Sequence, residues 1–539
     1  MFPRIKSYKN KDGSVRHYLF LVDNKRVGGH VRQVTTANFG RVEDLDEVIP
    51  DVVEKLSKFS RKLRVINLAK DIKADWEKEY GAVIIFKKIW ENLGLGRYLG
   101  RYQEERRIGF DAGEVIYAMV LNRLLEPKSE LATHRWANGL YGLSEVFDLN
   151  RWYRGLDFLI EHKDKLEADL YEGQKDLFNQ EVDMVLMDTT SVVYFGDGET
   201  ADEILDYGFS KEKRFDLKQV IVGILMTKEG MPIGHEVYPG NTNDINAFKE
   251  MIKAVALRFR IRRVIIVCDR GMISERNIGQ LEADGYEYIV GMRMRQLPRE
   301  SAEKLLCRKG MNAVAKGLSA KEEEFENKRL IICFNSEQGE KDKKKREEIV
   351  ARLIEKLKTQ GLKSLLMHTE YSKYLKIKAE KPELDEEKVR AEELFDGKFV
   401  LQTNTKLSWR EVVLAYKDLW QVEAAFRTLK SELEMGPIYH WTERRIRAHI
   451  FVCFLALVLR VVFQMGLLKV SKVLQVNKVL EDVKKLKAVQ ITLKGKPITL
   501  RTELEGDAHF AFKAVGLKVP SRLLSEPSGN RECVVVRGE

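Results

Sequence analysis

Two apolar runs that each end on an aspartate constrain this chain more than any other feature: VDMVLMDTT at 182–190 and RRVIIVCDRG at 262–271. Short unbroken runs of aliphatic residues, bounded by polar turn signals, are the pattern of strands buried on both faces. Between them lies QVIVGILMTKEGMPIGHEVYPGN (219–241), which reads as two strands joined at Lys228-Glu229-Gly230. Asn243 or Asp244 is placed to cap the helix that follows, INAFKEMIKAVALRF. A short helix (SERNIGQLEAD) and another strand (YEYIVGMR) come next. Strand, hairpin, helix, strand, helix, strand specifies a mixed α/β sheet with Asp188 and Asp269 at strand ends.

A carboxylate at the end of a hydrophobic strand is costly unless it is hydrated, paired or bound to a cation. Either aspartate alone reads as a turn cap. Taken together, with no histidine near either in sequence, they favour an all-oxygen site for Mg2+ or Mn2+ over a zinc site. Two such ions about 3.5–4 Å apart activate a water or hydroxyl and stabilise the leaving oxygen of a phosphodiester.

The third carboxylate comes from YKDLWQVEAAFRTLK (416–430), read as one helix. Tyr416, Glu423 and Lys430 stand seven residues apart, within about 20° of two full turns, and so share a side. Val422, Ala425, Phe426 and Leu429 form the adjacent face that buries. Alone, Glu423 reads as a salt-bridge rim; beside two strand-end aspartates it reads as a metal ligand. Tyr416 and Lys430 are then placed to hold DNA phosphates, and Arg427 to add a bidentate contact.

MDTTS (187–191), CDRGM (268–272) and Y-x2-L-x3-E-x6-K (416–430) resemble bacterial and archaeal insertion-sequence transposases of the DDE type. The resembling branch carries the signature Y-x2-R-x3-E-x6-K. The likeness continues through PIGHEVYPGNTND, DGKFVLQTN and HWTERRIRAHIFVCFLAL, roughly residues 85–465. It implies a ribonuclease H-like core, interrupted by an insertion before the glutamate, with Asp188, Asp269 and Glu423 holding two Mg2+ (or Mn2+) ions. It also implies double-stranded DNA partners, namely the element's terminal inverted repeats and a target, and a homodimer in the synaptic complex. Leu419 stands where the signature has arginine, so that phosphate contact is absent or supplied by Arg427 or Arg444. Two other readings share the resemblance: an inactive end-binding repressor, and a nuclease that cuts without joining.

At 539 residues the chain exceeds a single core. Period and composition divide it into a small basic β-rich segment (1–50), an all-helical segment (51–180) and a mixed α/β segment (181–295); the resemblance implies that 51–180 binds DNA ends and that 181–295 is a first catalytic part. An insertion (296–396), a second catalytic part (397–470) and a C-terminal region for dimerisation or DNA contacts (471–539) follow. A net charge of +11 permits a polyanionic partner. Five scattered cysteines without a CxxC pair exclude a disulfide framework and a cysteine zinc site. MFPRIKSYKNKDGS has no apolar h-region, and IFVCFLALVL (450–459) ends at Arg460, so a core helix and no membrane span are expected. These features fit the cytoplasm, with nucleoid association when DNA is bound. His235 reads as structural, while His449, among arginines, reads either as a helix-packing residue or as one near DNA.

Overall fold

The computed structural model describes residues 1–539 apart from 29, 46–48, 50–51, 54, 57–58, 60–62, 68–71, 107, 144–147, 179–183, 197–203, 211–213, 260–264, 270–274, 360–367, 379–380, 494, 526–532 and 538–539. The chain opens on an antiparallel sheet of β1 (Phe2–Lys9), β2 (Val15–Val27) and β3 (His30–Arg41). Two short strands, β4 (Leu63–Asn67) and β5 (Ile72–Glu79), come next. They correct the expectation that 51–180 is all-helical. β5 reads IKADWEKE, in which Ile72, Ala74 and Trp76 alternate with charged residues and Trp76 packs on the core, so the strand's period-2 signal is short and set in a charged stretch. Its partner, described below, lies some four hundred residues further on.

Six helices follow: α1 (Gly81–Asn92), α2 (Leu95–Arg106), α3 (Ala112–Leu125), α4 (Glu130–Ala137), α5 (Leu149–Glu161) and α6 (Lys163–Phe178). Side chains of Asp111, Ser129 and Asp148 accept from backbone N–H groups in the first turns of α3, α4 and α5. Each cap satisfies a donor that the helix cannot satisfy itself.

The nine-stranded central sheet is built from β6 (Met184–Val193), β7 (Gln219–Thr227), β8 (Pro232–Pro239), β9 (Ile265–Cys268), β10 (Glu287–Gly291), β11 (Asn312–Ala315), β12 (Leu318–Phe325), β13 (Lys328–Asn335) and β16 (Lys398–Thr403). Its order is β11-β12-β13-β16-β10-β9-β6-β7-β8. β9 runs parallel to both β6 and β10, and the other pairings are antiparallel. The β7–β8 hairpin turns at Gly230, whose φ of +82° glycine adopts without steric cost. Asn243 caps α7 (Asp244–Phe259), its side chain accepting from the N–H of Asn246 at 2.9 Å. α8 is Glu275–Ala283. Within 296–396, β11 to β13 extend the central sheet from β16, α9 (Ser336–Thr359) packs on β13, and β14 (Leu375–Lys378) and β15 (Lys381–Leu384) form a separate hairpin against α9.

After β16 come α10 (Trp409–Lys417), α11 (Trp420–Ser431) and the long α12 (Glu443–Val470). α12 packs against α1, α3, α5, α11 and β8, which makes it the axis of the main core. It is long and apolar enough to cross a membrane by length and composition, yet 72% of its most apolar window is buried in the protein. Arg460 interrupts it and is itself buried, paired with Glu432 and with the side-chain oxygen of Asn477. The chain ends with α13 (Val476–Lys484), the hairpin of β17 (Lys487–Leu493) and β18 (Lys496–Arg501), α14 (Ala508–Ala514), β19 (Leu523–Ser525) and β20 (Cys533–Arg537). β17 is the partner that fixes β5, and β20 pairs with β4.

A buried ion network joins the helices to the sheet. Glu167 of α6, fully buried, accepts from Nδ1 of His235 at 2.7 Å, from Lys163 at 3.1 Å and from Arg258. Burial alone would raise its pKa, but Lys163, His235 and Arg258 overcome that and pull it down to about 2. The ring of His235 stacks against Phe454 and tilts over Phe451 of α12. His235 is thus a packing residue, as its strand alternation implied.

Candidate active site around two aspartates

β6 and β9 pair in register as Met184↔Ile265, Val185↔Ile266 and Leu186↔Val267. Two residues beyond the last pair come Asp188, still within β6, and Asp269, the first residue after β9. Side chains alternate between faces along a strand. Val185, Met187, Ile266 and Cys268 belong to the core that includes Phe248 and Met251 of α7 and Ile278 and Leu281 of α8. Leu186 and Val267 belong to the opposite core, shared with α11 and α12. Asp188 and Asp269 therefore share the α11 face. Both carboxylates also bear on the buried thiol of Cys268, pushed well above its ordinary range first by burial and then by Asp269 and Asp188.

The strand-end expectation is corrected for Asp188. β6 runs on through Thr189, Thr190, Ser191, Val192 and Val193, and Asp188 pairs with Ile224 of β7 inside the ladder. Threonine and valine favour extended backbone, so nothing in the local sequence ends the strand. Asp269 does follow directly on the last residue of β9.

The helix of Glu423 is also not continuous. α10 ends at Lys417 and α11 begins at Trp420. Between them the N–H groups of Leu419, Gln421 and Val422 bond to carbonyls three residues back, at 3.1, 3.0 and 3.0 Å, a tightened turn that shifts the helical phase. Leu419 sits in that turn, only 7% exposed, and faces the core. The seven-residue stripe is thereby divided. Tyr416 belongs to α10, where it stacks against Phe399 and its hydroxyl donates to Oδ1 of Asp269 at 3.0 Å. Glu423 and Lys430 belong to α11. There Val422, Ala425, Phe426 and Leu429 bury as their spacing implied, α11 packs on β6 and β7, and Glu423 is exposed at the edge.

Asp188, Asp269 and Glu423 are not among the described groups whose ligand atoms lie within 4.8 Å of one another. Two other groups meet that spacing, Glu130–His440–His449 and Asp164–Glu167–Glu236; the second is part of the network already described. Arg427 is exposed on α11 and Lys430 is half-buried near its end. Arg444 turns to α5, donating to the carbonyl of Asp157 at 2.9 Å and pairing with Asp157 and Glu161. Arg445 lies over the ring of Tyr153, and Arg447 donates to the carbonyl of Val237 at 2.7 Å. The arginine cluster at 444–447 thus makes internal contacts. The bond from Tyr416 to Asp269 had no sequence signal, because 147 residues separate the partners.

Residues 183–459 match the family described as transposase DDE domain, and residues 3–70 match the IS1634 family transposase, N-terminal domain. The first match covers more than half of the chain, which belongs to the insertion-sequence transposases of the DDE family, enzymes that cut DNA and transfer strands. No curated protein matches it. Among solved structures, the chain is similar to one described as a cryo-EM structure of the piggyBac transposase synaptic complex with hairpin DNA. Identity is 10% over 76% of this chain and 82% of that one, with a TM-score of 0.38.

Proposed function

We propose that Asp188, Asp269 and Glu423 are the catalytic carboxylates of this transposase, on a ribonuclease H-like core, and that they hold two divalent cations, Mg2+ or Mn2+. The observation that carries the reading is the parallel register of β6 and β9, which brings two acids to the face that α11 covers. The donor set suits hard cations, since all three side chains offer oxygen only. Asp188 and Asp269 from the sheet and Glu423 from α11 would hold the ions between them.

When bound, such a pair of ions lowers the pKa of a nucleophilic water or hydroxyl and offsets charge on the leaving oxygen. The chain's own residues do the positioning. The N–H of Thr189 donates to Oδ1 of Asp188 at 2.7 Å, and the Tyr416 hydroxyl holds Asp269, so both carboxylates have a fixed rotamer. Arg427 and Lys430 on α11, with Arg444 flanking, supply phosphate contacts that align the scissile strand. For Arg444 this requires release from its exposed pairs with Asp157 and Glu161, which cost little to break. The N-terminal sheet and the helices of 51–180 read the terminal inverted repeats, and two copies act together at synapsis in the cytoplasm.

The test is cleavage and joining of DNA carrying the element's own ends, with Mg2+. Asp188→Ala, Asp269→Ala and Glu423→Ala should each abolish both products while end binding persists. Full activity in Glu423→Ala would remove it from the site. End binding without cleavage by the unaltered chain would favour a repressor, and cleavage without joining a nuclease.

A further inference from the structure

Glu130 opens α4, His440 lies between α11 and α12, and His449 stands in the second turn of α12. Their side chains are only 13%, 11% and 7% exposed, and their ligand atoms lie within 4.8 Å of one another. Hydrogen-bond bookkeeping shows that these groups do not satisfy each other. Nε2 of His449 lies 3.0 Å from the carbonyl oxygen of Met435, which can only accept, so Nε2 carries the proton. In neutral imidazole Nδ1 is then a lone pair, and it faces Oε1 of Glu130 at 3.6 Å. Nε2 of His440 lies 3.0 Å from the same oxygen but off the hydrogen-bonding direction, and is buried without a hydrogen-bond partner.

With both imidazoles neutral and the His440 proton on Nδ1, three Lewis-basic atoms converge on one point. Edges of 3.0 and 3.6 Å bracket the ~3.4 Å that separates ligands of a tetrahedral zinc with bonds of about 2.1 Å. A ring nitrogen that donates to a backbone carbonyl, as in His449, is also the usual support of a metal-bound histidine.

We propose that Glu130, His440 and His449 form a zinc-type site, two imidazoles and a carboxylate, with solvent in the fourth position. Arg123 approaches Glu130 Oε1 only to 4.0 Å and is anchored by the carbonyl of Lys128 at 2.8 Å, so it flanks the site without filling it. The entry side is His440, whose neighbours Tyr439 and Trp441 are exposed. A cation here would tie α4 of the helical region to the segment joining α11 and α12. Its role is that of a clasp on the helix of Glu423, separate from the chemistry at Asp188 and Asp269.

The experiment loads the full chain with Zn2+, desalts it into metal-free buffer and measures bound metal. Because the catalytic acids also attract cations, an Asp188→Asn/Asp269→Asn chain is treated in parallel. Both should retain about one zinc per chain, and His440→Asn and Glu130→Gln under about a fifth of that. Co2+ loaded in its place should give the visible bands of a four-coordinate nitrogen and oxygen site in both His440-containing chains. A chelator should lower the unfolding temperature of the unaltered chain and not that of His440→Asn. Should either variant fail to fold, the Co2+ spectra of the two His440-containing chains decide. Zinc lost from the Asp188→Asn/Asp269→Asn chain but kept by His440→Asn would overturn the proposal, as would an unaltered chain that keeps none. In that case an imidazolium, and not a metal, satisfies the carboxylate.

Discussion

Replacing Tyr416 by phenylalanine separates what its position in sequence suggests from what its contact shows. Seven residues from Glu423, it reads as a phosphate contact; in the structure its hydroxyl donates to Asp269 at 3.0 Å. A hydrogen bond to a charged group contributes about 1.5–3 kcal/mol. This one is partly exposed, so solvent takes its place in part, and about 1.4 kcal/mol, or roughly tenfold, is the expected loss. The same size is typical when a residue supporting a metal ligand is removed, about 10- to 100-fold in affinity or activity. The loss should appear in cation dependence. The Mg2+ concentration for half-maximal cleavage should rise about tenfold, while the rate at saturating Mg2+ falls less than about threefold. DNA affinity, measured by anisotropy in Ca2+ to block turnover, should stay within about twofold. An unmoved Mg2+ midpoint together with weakened DNA binding would refute this reasoning and restore the phosphate contact.

Leu419→Arg, which would restore the arginine of the signature, should destabilise the fold by about 2 kcal/mol or more, because the site is buried; calorimetry reads it. Arg427→Ala should weaken DNA binding evenly across sequences and reduce the slope of log affinity against log salt by about one. Glu167→Gln should lower stability near neutral pH by roughly 3–5 kcal/mol, since it leaves Lys163 and Arg258 short of a buried partner. The Glu167 carboxyl is held at about 2 when folded, below its unfolded value of about 4.3. Its stabilisation is therefore complete above the unfolded value and lost as pH falls through the folded one. The gap between the two proteins in urea titrations should close below about pH 4.3, and a gap that is constant to pH 2 would contradict the assignment.

Strands β6 to β10 and β16 of the central sheet, the hairpin at Gly230, the cap at Asn243 and the buried face of α11 were legible because each rests on local pattern, whereas β11 and β12 were not. Alternation, turn residues and helical period act over a few positions, and the apolar runs leave few ways to bury them. The family was legible too, in short motifs whose order survives along the chain. The aspartates could be singled out for the same reason, since an acid in an apolar run needs a special setting wherever it occurs.

Tertiary structure decided the rest. β5 is held as a strand by pairing with β17, a partner that its short alternation of Ile72, Ala74 and Trp76 does not identify. β6 runs past Asp188 because the ladder with β7 continues, so the acid lies inside the sheet. The helical stripe of Tyr416, Glu423 and Lys430 is divided by the turn at Leu419, which sends the phenol to Asp269. Glu130, His440 and His449 come together across three hundred residues, where no spacing rule operates. Sequence fixes what each segment prefers by itself; which distant groups then share a proton, a charge or a cation is set only when the segments pack.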